Sequence, residues 1–198
     1  KNGAESPAFP SIVGGGENSC VLHYTANRKT LSAKDLLVVD IGAEYHGYAA
    51  DVTRTLPVSG RFSEVQRQLY QIVLDAQNAG IRECKPGKDF YAPHKAAAQL
   101  IANGLLSLGI IKEEAQYEQY FMHGTSHHLG LDVHDERISN LLKAGNVITV
   151  EPGIYIPSGS DCDPKYWDIG IRIEDDILIT QDGYEILSDA VPKTVKGI

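Results

Sequence analysis

The sequence predicts an α+β fold in which antiparallel strands and helices occupy separate stretches of the chain. Segments rich in β-forming residues and segments with helical periodicity come in the order strands 36–41 and 48–56, helices 63–85 and 91–108, strands 146–150, 153–156 and 169–179. The 198 residues, of which 42% are apolar, suffice for one domain with a buried core. Because strands do not alternate with helices, antiparallel pairing is favoured over a parallel sheet.

The first two strand segments form a predicted hairpin. Segment 36–41 reads LLVVDI, segment 48–56 is also rich in β-forming residues, and the GAEYHG sequence between them is typical of a hairpin with a longer loop. Folding this hairpin places Asp40 and Asp51 on neighbouring strands. Their carboxylates can therefore meet.

The two helices have recognisable ends. Ser63 and Gln66 form a capping-box pattern, apolar residues then recur at helical spacing, and Lys85-Pro86-Gly87 stops the helix. The second helix covers 91–108, although Gly104 weakens that prediction.

Two further acids lie in the C-terminal strand segments. Glu151 ends the sequence VITVE. In segment 169–179, alternation places Arg172, Glu174 and Asp176 on one face and the isoleucines on the other. Each half of the chain thus offers a hairpin that bears two acids.

Composition excludes several classes of function. A formal net charge of −8 argues against a nucleic-acid partner, which would need a surface of Lys and Arg. No apolar run approaches the roughly 18–20 residues of a membrane span, so no membrane partner is expected. Cys20, Cys84 and Cys162 form no CxxC pair, which argues against a disulfide framework and against a Cys-based zinc site. A reducing cytoplasmic location fits best.

The four strand acids need cations if they are buried together. Burying uncompensated carboxylates costs several kcal/mol each and raises their pKa values. Two divalent ions would supply +4 against the −4 of Asp40, Asp51, Glu151 and Glu174. A dinuclear metal site is therefore favoured over an ion-pair network, since Arg172 is the only cation that the sequence places well in these strands. For any one acid taken alone, a solvated strand face remains the alternative.

The segment MHGTSHHLGLDVHD at 122–135 adds neutral ligands. On a helix, His123 and His127 would share a face and could bind one zinc ion with His134. The Glu that follows the first His in HExxH proteases is absent, and Gly124 disfavours a helix. Loop histidines paired to backbone or water are the other alternative. His46 and His94 are predicted to be surface residues.

Four stretches carry a family resemblance: VDIGAEYHGYAADVTRT at 39–55, MHGTSHHLGLDVHD, VEPGIYI at 150–156 and GIRIEDDILIT at 170–180. Over about residues 3–192 the chain resembles the metal-dependent Xaa-Pro aminopeptidases (aminopeptidase P) of the pita-bread, methionine-aminopeptidase-like family. The resemblance implies a pita-bread fold with a mainly antiparallel sheet covered by helices. It also implies that the chain is N-terminally truncated, so that residues 1–198 are a fragment of the catalytic domain without its start and without a preceding N-terminal domain.

The resemblance further implies roles for individual residues. Asp40 would chelate one metal, His127 and Glu151 would bind the other, and Asp51 and Glu174 would bridge the two. His128 directly follows His127 and leaves the choice between them open, with the spacing from Gly124 favouring His127. The remaining implied site residues, which would line the substrate site or lie near the centre, are His23, His123, His134, Tyr155 and Arg172.

The implied activity is hydrolysis of the bond between an N-terminal residue and a following proline by hydroxide held between two divalent ions. The oxygen-rich ligand set suits Mn²⁺ best, and Zn²⁺ or Co²⁺ could occupy it. Glu151 would shuttle a proton to the leaving nitrogen, and His134 or His123 would stabilise the oxyanion. The expected partners are peptides with proline second, and the full-length protein could form a homodimer. The alternatives are an Xaa-Pro dipeptidase (prolidase) and a non-catalytic pita-bread module that binds peptide or protein.

Overall fold

Strands come first, two helices follow and strands return across residues 3–198, which the computed structural model describes. The strands are β1 (Ser6–Pro7), β2 (Ile12–Gly15), β3 (Leu36–Ile41), β4 (Ala43–Tyr45), β5 (Tyr48–Ala49), β6 (Val52–Pro57), β7 (Val147–Val150), β8 (Gly153–Ile156), β9 (Ile169–Arg172), β10 (Asp175–Ile179) and β11 (Tyr184–Ile186). The helices are α1 (Glu64–Glu83) and α2 (Ala92–Ser107). Short 3₁₀ helices occupy Gly16–Cys20, Glu114–Gln119 and Pro164–Tyr166.

Every strand pairing among these residues is antiparallel, which confirms the predicted class. The sheets have the orders β1-β4-β5, β2-β3-β6, β11-β10-β7 and β8-β9. The glycine-rich β2 was not predicted, and it covers the outer edge of β3. In the β3–β6 pair, Asp40 lies opposite Thr53.

The prediction of one continuous strand over 48–56 is wrong. β5 pairs with β4, whereas β6 pairs with β3, so the chain passes from one sheet to another at Ala50 and Asp51. The Ala50 N–H donates to the Ala43 carbonyl at 2.9 Å, and the Asp51 N–H donates to the Asp176 carboxylate at 3.2 Å. Of the predicted segment 48–56, only β6 therefore pairs with β3. Asp51 lies where the chain crosses between the two sheets.

The strand predicted over 169–179 is interrupted in the same way. β9 pairs with β8 and β10 pairs with β7, and the chain crosses at Ile173 and Glu174. The Glu174 N–H leaves the local ladder and donates to the Thr53 carbonyl at 3.1 Å. Both crossings are thus occupied by one acid each, and a hydrogen bond joins the two regions.

The helices form as predicted and cover the β8–β9 sheet. The Ser63 hydroxyl accepts the Gln66 N–H at 3.3 Å, and the Ser63 N–H donates to the Gln66 side chain at 2.9 Å. A Cβ at Gly104 would lie 2.7 Å from Ile72, so this glycine allows α2 to approach α1 closely. One apolar cluster includes residues of α1, α2, β8 and β9.

Within residues 3–198, no helix combines the length and the apolar character that a membrane span requires. Cys20, Cys84 and Cys162 are free thiols.

Candidate metal centre

The predicted site residues converge on one cavity of about 740 Å³. Its wall includes the following predicted residues: His23, Asp40, Asp51, His123, His127, His134, Glu151, Arg172 and Glu174. Tyr155 lies behind this wall and is fully buried. Residues from both halves of the chain therefore meet at a single place, as the two acid-bearing hairpins predict.

Sheet geometry places each carboxylate at the cavity. Asp40 is in β3, Asp51 and Glu174 occupy the two crossings between sheets, and Glu151 directly follows β7. The loop that carries His127 extends the sheet that contains β7, because the His127 carbonyl accepts the Thr149 N–H at 3.0 Å. The loop's backbone, rather than a helix, thus sets the position of the imidazole.

Three side chains lie close enough to share one cation. The ligand atoms of Asp51, His127 and Glu174 all lie within 4.8 Å of one another. The His127 Nε2 atom is 3.6 Å from Asp51 Oδ2 and 3.6 Å from Glu151 Oε1. The His127 Nδ1 atom lies 3.1 Å from the His128 carbonyl, which makes Nδ1 the donor and leaves a lone pair on Nε2 when the ring is neutral. A lone pair that faces two carboxylates at this distance suits a cation shared by the three groups.

Unpaired oxygens point to the same conclusion. Within residues 3–198, Asp40 Oδ1 and Asp51 Oδ1 are buried without a hydrogen-bond partner. The other Asp40 oxygen accepts Arg172 Nη2 at 2.7 Å, and Glu174 accepts the Thr53 hydroxyl at 2.7 Å. Buried carboxylate oxygens normally have partners. The donor set of four carboxylates and one imidazole therefore fits hard divalent ions.

Crowding also shifts the pKa values of these acids. Burial, followed by the neighbouring Asp40 charge, raises the pKa of Asp51 to about 8. Burial and the charge of Asp51 raise the pKa of Glu174 well above its usual range. Burial and the charge of Glu174 do the same to the pKa of Glu151, whose side chain is 18% exposed. The folded chain thus retains protons on these acids unless cations neutralise them.

We expect the chelator-treated protein to lose stability as the pH rises from 6.5 to 8. In this window the unfolded acids are ionised, while Asp51, with a folded pKa of about 8, still binds its proton. The folded state therefore binds more protons, and the free energy of unfolding falls by about 1 kcal/mol per pH unit for such a carboxyl. Urea denaturation in EDTA at several pH values measures this fall in the free energy of unfolding.

The window matters because His123 acts in the opposite direction at lower pH. Burial lowers the pKa of His123 from 6.5 to about 4. The contribution of His123 to the free energy of unfolding therefore rises with pH mainly between these two values. A constant or rising free energy of unfolding between pH 6.5 and 8 would contradict the expectation. Saturating Mn²⁺ should abolish the fall.

Four predicted residues form one hydrogen-bonded chain beside the acids. Asp40 accepts Arg172 Nη2, and Arg172 Nη1 donates to the Tyr155 hydroxyl at 3.1 Å. That hydroxyl lies 2.9 Å from His123 Nε2, and His123 Nδ1 lies 2.7 Å from the Gly124 carbonyl. Since Nδ1 donates to this carbonyl, Nε2 accepts from Tyr155. His123 is therefore a neutral ring with both nitrogens engaged.

His134 lies beside His127, whereas His128 lies in a different environment. The rings of His127 and His134 are 4.3 Å apart between centroids, and His134 is exposed at the cavity rim. His128 instead stacks on Phe90 with centroids 5.3 Å apart and does not line the cavity of the described chain. The geometry thus favours His127 over His128 as the ligand.

One expectation for the histidines is wrong. His94 is not a free surface residue, because it is half-buried and its Nδ1 lies 2.9 Å from the hydroxyl of the buried Thr125. The single-zinc alternative fails as well, since His123 and His127 lie in a loop and face different partners. His46 is exposed as predicted.

Sequence reasoning missed Thr53 and Arg54 behind the acids, and it placed Asp176 on the same face as Glu174 without assigning it a role. Thr53 links Glu174 to Arg172, whose Nε donates to the Thr53 hydroxyl at 3.2 Å. Arg54 is a second buried cation in these strands, so Arg172 is not the only one. Asp176, also buried, accepts the Asp51 N–H. Alternation along DVTRT could have indicated Thr53, but the other contacts depend on distant segments.

The sequence profile of Metallopeptidase family M24 matches residues 1–181. Together with the antiparallel fold and the acid-lined cavity, this match defines the class of protein: the chain belongs to Metallopeptidase family M24.

Individual relatives are close in sequence and structure. The chain is 44% identical over 99% of its length to the mitochondrial Intermediate cleaving peptidase 55 of Arabidopsis thaliana, covering 40% of that protein. It is 44% identical over 98% of its length to the Xaa-Pro aminopeptidase of Haemophilus influenzae, covering 48%. Zn-substituted Escherichia coli aminopeptidase P in complex with product matches with a TM-score of 0.94 and 43% identity, over 98% of this chain and 47% of that one. The chain thus spans less than half the length of these relatives.

Proposed function

We propose that this chain is the metal-binding part of an aminopeptidase catalytic domain that hydrolyses the bond between an N-terminal residue and a following proline. The cluster of Asp51, His127 and Glu174, with unpaired carboxylate oxygens beside it, is the observation that carries the proposal. The relative in Haemophilus influenzae is named Xaa-Pro aminopeptidase, which supports the substrate class.

Two divalent ions would be held by the residues Asp40, Asp51, His127, Glu151 and Glu174. Asp40 would bind one ion and the pair His127 and Glu151 the other, with Asp51 and Glu174 between them. Such ions polarise the scissile carbonyl and lower the pKa of water. The oxygen-rich set favours Mn²⁺, and Zn²⁺ or Co²⁺ are further candidates. The Zn-substituted relative supports zinc as a compatible ion.

Glu151 is placed to move the proton that peptide hydrolysis requires. Its carboxylate reaches the cavity and lies 3.6 Å from His127 and 4.0 Å from His123. From this position the carboxylate can accept a proton from the attacking water. Glu151 then delivers this proton to the proline nitrogen as the peptide bond breaks.

His134 is better placed than His123 to stabilise the oxyanion. Both ring nitrogens of His123 are engaged, by Gly124 and Tyr155. The His134 side chain makes no hydrogen bond to another of residues 3–198, and it lines the cavity. Its ring N–H is free to donate to developing negative charge on the substrate.

Recognition of proline relies on shape, because a proline nitrogen within a peptide has no N–H. Apolar side chains line part of the same cavity, among them Phe9, Pro10, Ile12, Leu22 and Val133. These side chains can contact the pyrrolidine ring and the side chain of the N-terminal residue. His23 lies beside them on the cavity wall and can contact the peptide backbone.

The substrate class is tested with three sets of synthetic peptides. The Mn²⁺-loaded intact protein should release the N-terminal residue from Xaa-Pro-Xaa peptides and cleave Xaa-Ala-Xaa peptides at least about 100-fold more slowly in kcat/KM. Strict preference for Xaa-Pro dipeptides would assign the protein as a dipeptidase instead. Equal cleavage of Xaa-Ala-Xaa would remove the requirement for proline, and peptide binding without turnover would indicate a non-catalytic module.

A further inference from the structure

The chain after β11 packs directly behind the two sheet crossings. We call residues 187–193 the C-terminal segment; it lies beyond the stretch that the family profile matches. Leu187 extends the sheet, because its N–H donates to the Asp176 carbonyl at 2.9 Å. The Tyr70 hydroxyl of α1 donates to the Lys193 carbonyl at 2.8 Å. Both ends of the segment are therefore held against the core.

Arg54 joins this segment to Glu174. Its Nη1 donates to the Glu174 carbonyl at 2.5 Å and to the Thr53 carbonyl in β6 at 2.9 Å. Its Nη2 donates to Asp175 Oδ1 at 2.8 Å and to the Val191 carbonyl at 2.9 Å, and its Nε donates to the Pro192 carbonyl at 2.9 Å. A guanidinium has five N–H donors, and five contacts are made. Three segments of backbone are thus tied to one buried group.

Asp175 is the anionic centre of the same network. It accepts Arg54, the Ser188 hydroxyl at 2.6 Å, the Gln77 amide at 2.9 Å and the Lys193 ammonium at 2.5 Å. Asp175 is therefore a fully buried carboxylate held between two cations, Arg54 and Lys193, the second of which belongs to the C-terminal segment.

Asp51 is reached by a second route. The Asp51 N–H donates to Asp176 Oδ2, and the Asp176 N–H donates to the Ser188 hydroxyl at 3.2 Å. Ser188 therefore contacts both Asp175, which directly follows Glu174, and Asp176, which accepts the Asp51 N–H. The segment and the two proposed bridging ligands belong to one hydrogen-bonded unit.

We propose that the C-terminal segment positions Asp51 and Glu174 for cation binding, with Lys193, Ser188 and Arg54 as positioning residues. None of these three lines the cavity of the described chain. They hold the backbone on which the ligands are mounted, and outer partners of metal ligands affect metal affinity by about 10–100-fold. The proposal rests on the metal site described above, but not on the identity of the peptide substrate.

Lys193→Met tests the proposal in the intact protein. We expect the Kd for Mn²⁺ to rise at least about 10-fold, with an altered Mn²⁺ electron paramagnetic resonance spectrum. At saturating Mn²⁺, kcat should fall while KM changes little, because the cavity wall is intact. Amide hydrogen exchange at Asp51 and Glu174 should accelerate in the chelated protein. Lys193→Arg keeps the charge and should restore most of the Mn²⁺ affinity.

Two controls separate positioning from general destabilisation. Lys196→Met changes an exposed lysine of the same terminal region and should leave the Kd for Mn²⁺ unaltered. Leu105→Ala destabilises the α1–α2 core at a residue that does not line the cavity, and its Kd should also stay unchanged. Wild-type Mn²⁺ affinity in Lys193→Met, or an equal loss in Leu105→Ala, would overturn the proposal. If the protein does not cleave proline peptides but Lys193→Met still weakens Mn²⁺ binding, only the proposed substrate is refuted.

Discussion

Glu151→Gln is expected to lower kcat for Xaa-Pro-Xaa peptides by about 10²–10⁴-fold, the usual contribution of a general base. The glutamine amide keeps the size of the side chain but cannot carry a proton from water to the proline nitrogen. The Glu151 carboxylate lines the cavity and lies 3.6 Å from His127 Nε2. Steady-state kinetics at saturating Mn²⁺ measures the effect.

An exposed acid provides the matched control for this variant. Glu136→Gln removes the same charge outside the cavity and should retain wild-type kcat. A Glu151→Gln enzyme that keeps kcat within about threefold of the parent, with the metal content unchanged, would contradict the assigned role.

Asp51→Asn is expected to change stability in opposite directions with and without cations. Burial and Asp40 raise the pKa of Asp51 to about 8, so near that pH the chelated protein pays for an unfavourable charge or for its protonation. The neutral amide removes this cost and should raise the free energy of unfolding by about 1–2 kcal/mol in EDTA. In Mn²⁺ the variant should be less stable than the parent, because a proposed bridging ligand is lost.

Thermal unfolding of both proteins in EDTA and in Mn²⁺ shows whether the sign reverses. Asp132→Asn is the control, since Asp132 lines the same cavity but is exposed, and its variant should behave like the parent in both solutions. Destabilisation by Asp51→Asn in EDTA as well as in Mn²⁺ would show that the carboxylate contributes through ordinary hydrogen bonds.

The sequence predicted what local pattern controls. The capping box at Ser63, the stop at Lys85-Pro86-Gly87 and the apolar run before Asp40 each depend on neighbours in the chain. Those elements appear within one or two residues of their predicted bounds. The acids themselves were visible because a carboxylate within an apolar strand is costly without a cation.

What the sequence could not predict depends on contacts between distant segments. The breaks at Asp51 and Glu174 arise because each residue bonds to a strand more than a hundred positions away. Arg54 and Asp175 are 121 positions apart, and neither has a local partner that indicates the pairing. His94, in α2, was misread for the same reason, since its partner Thr125 lies in a loop 31 positions away.

Diffraction from crystals grown with Mn²⁺, recorded on both sides of the manganese absorption edge, would locate the ions directly. We expect two anomalous peaks in the cavity, one contacted by Asp40 and the other by His127 and Glu151, with Asp51 and Glu174 contacting both. A single peak, a peak outside the cavity or no peak at saturating Mn²⁺ would contradict a dinuclear centre built from these five residues.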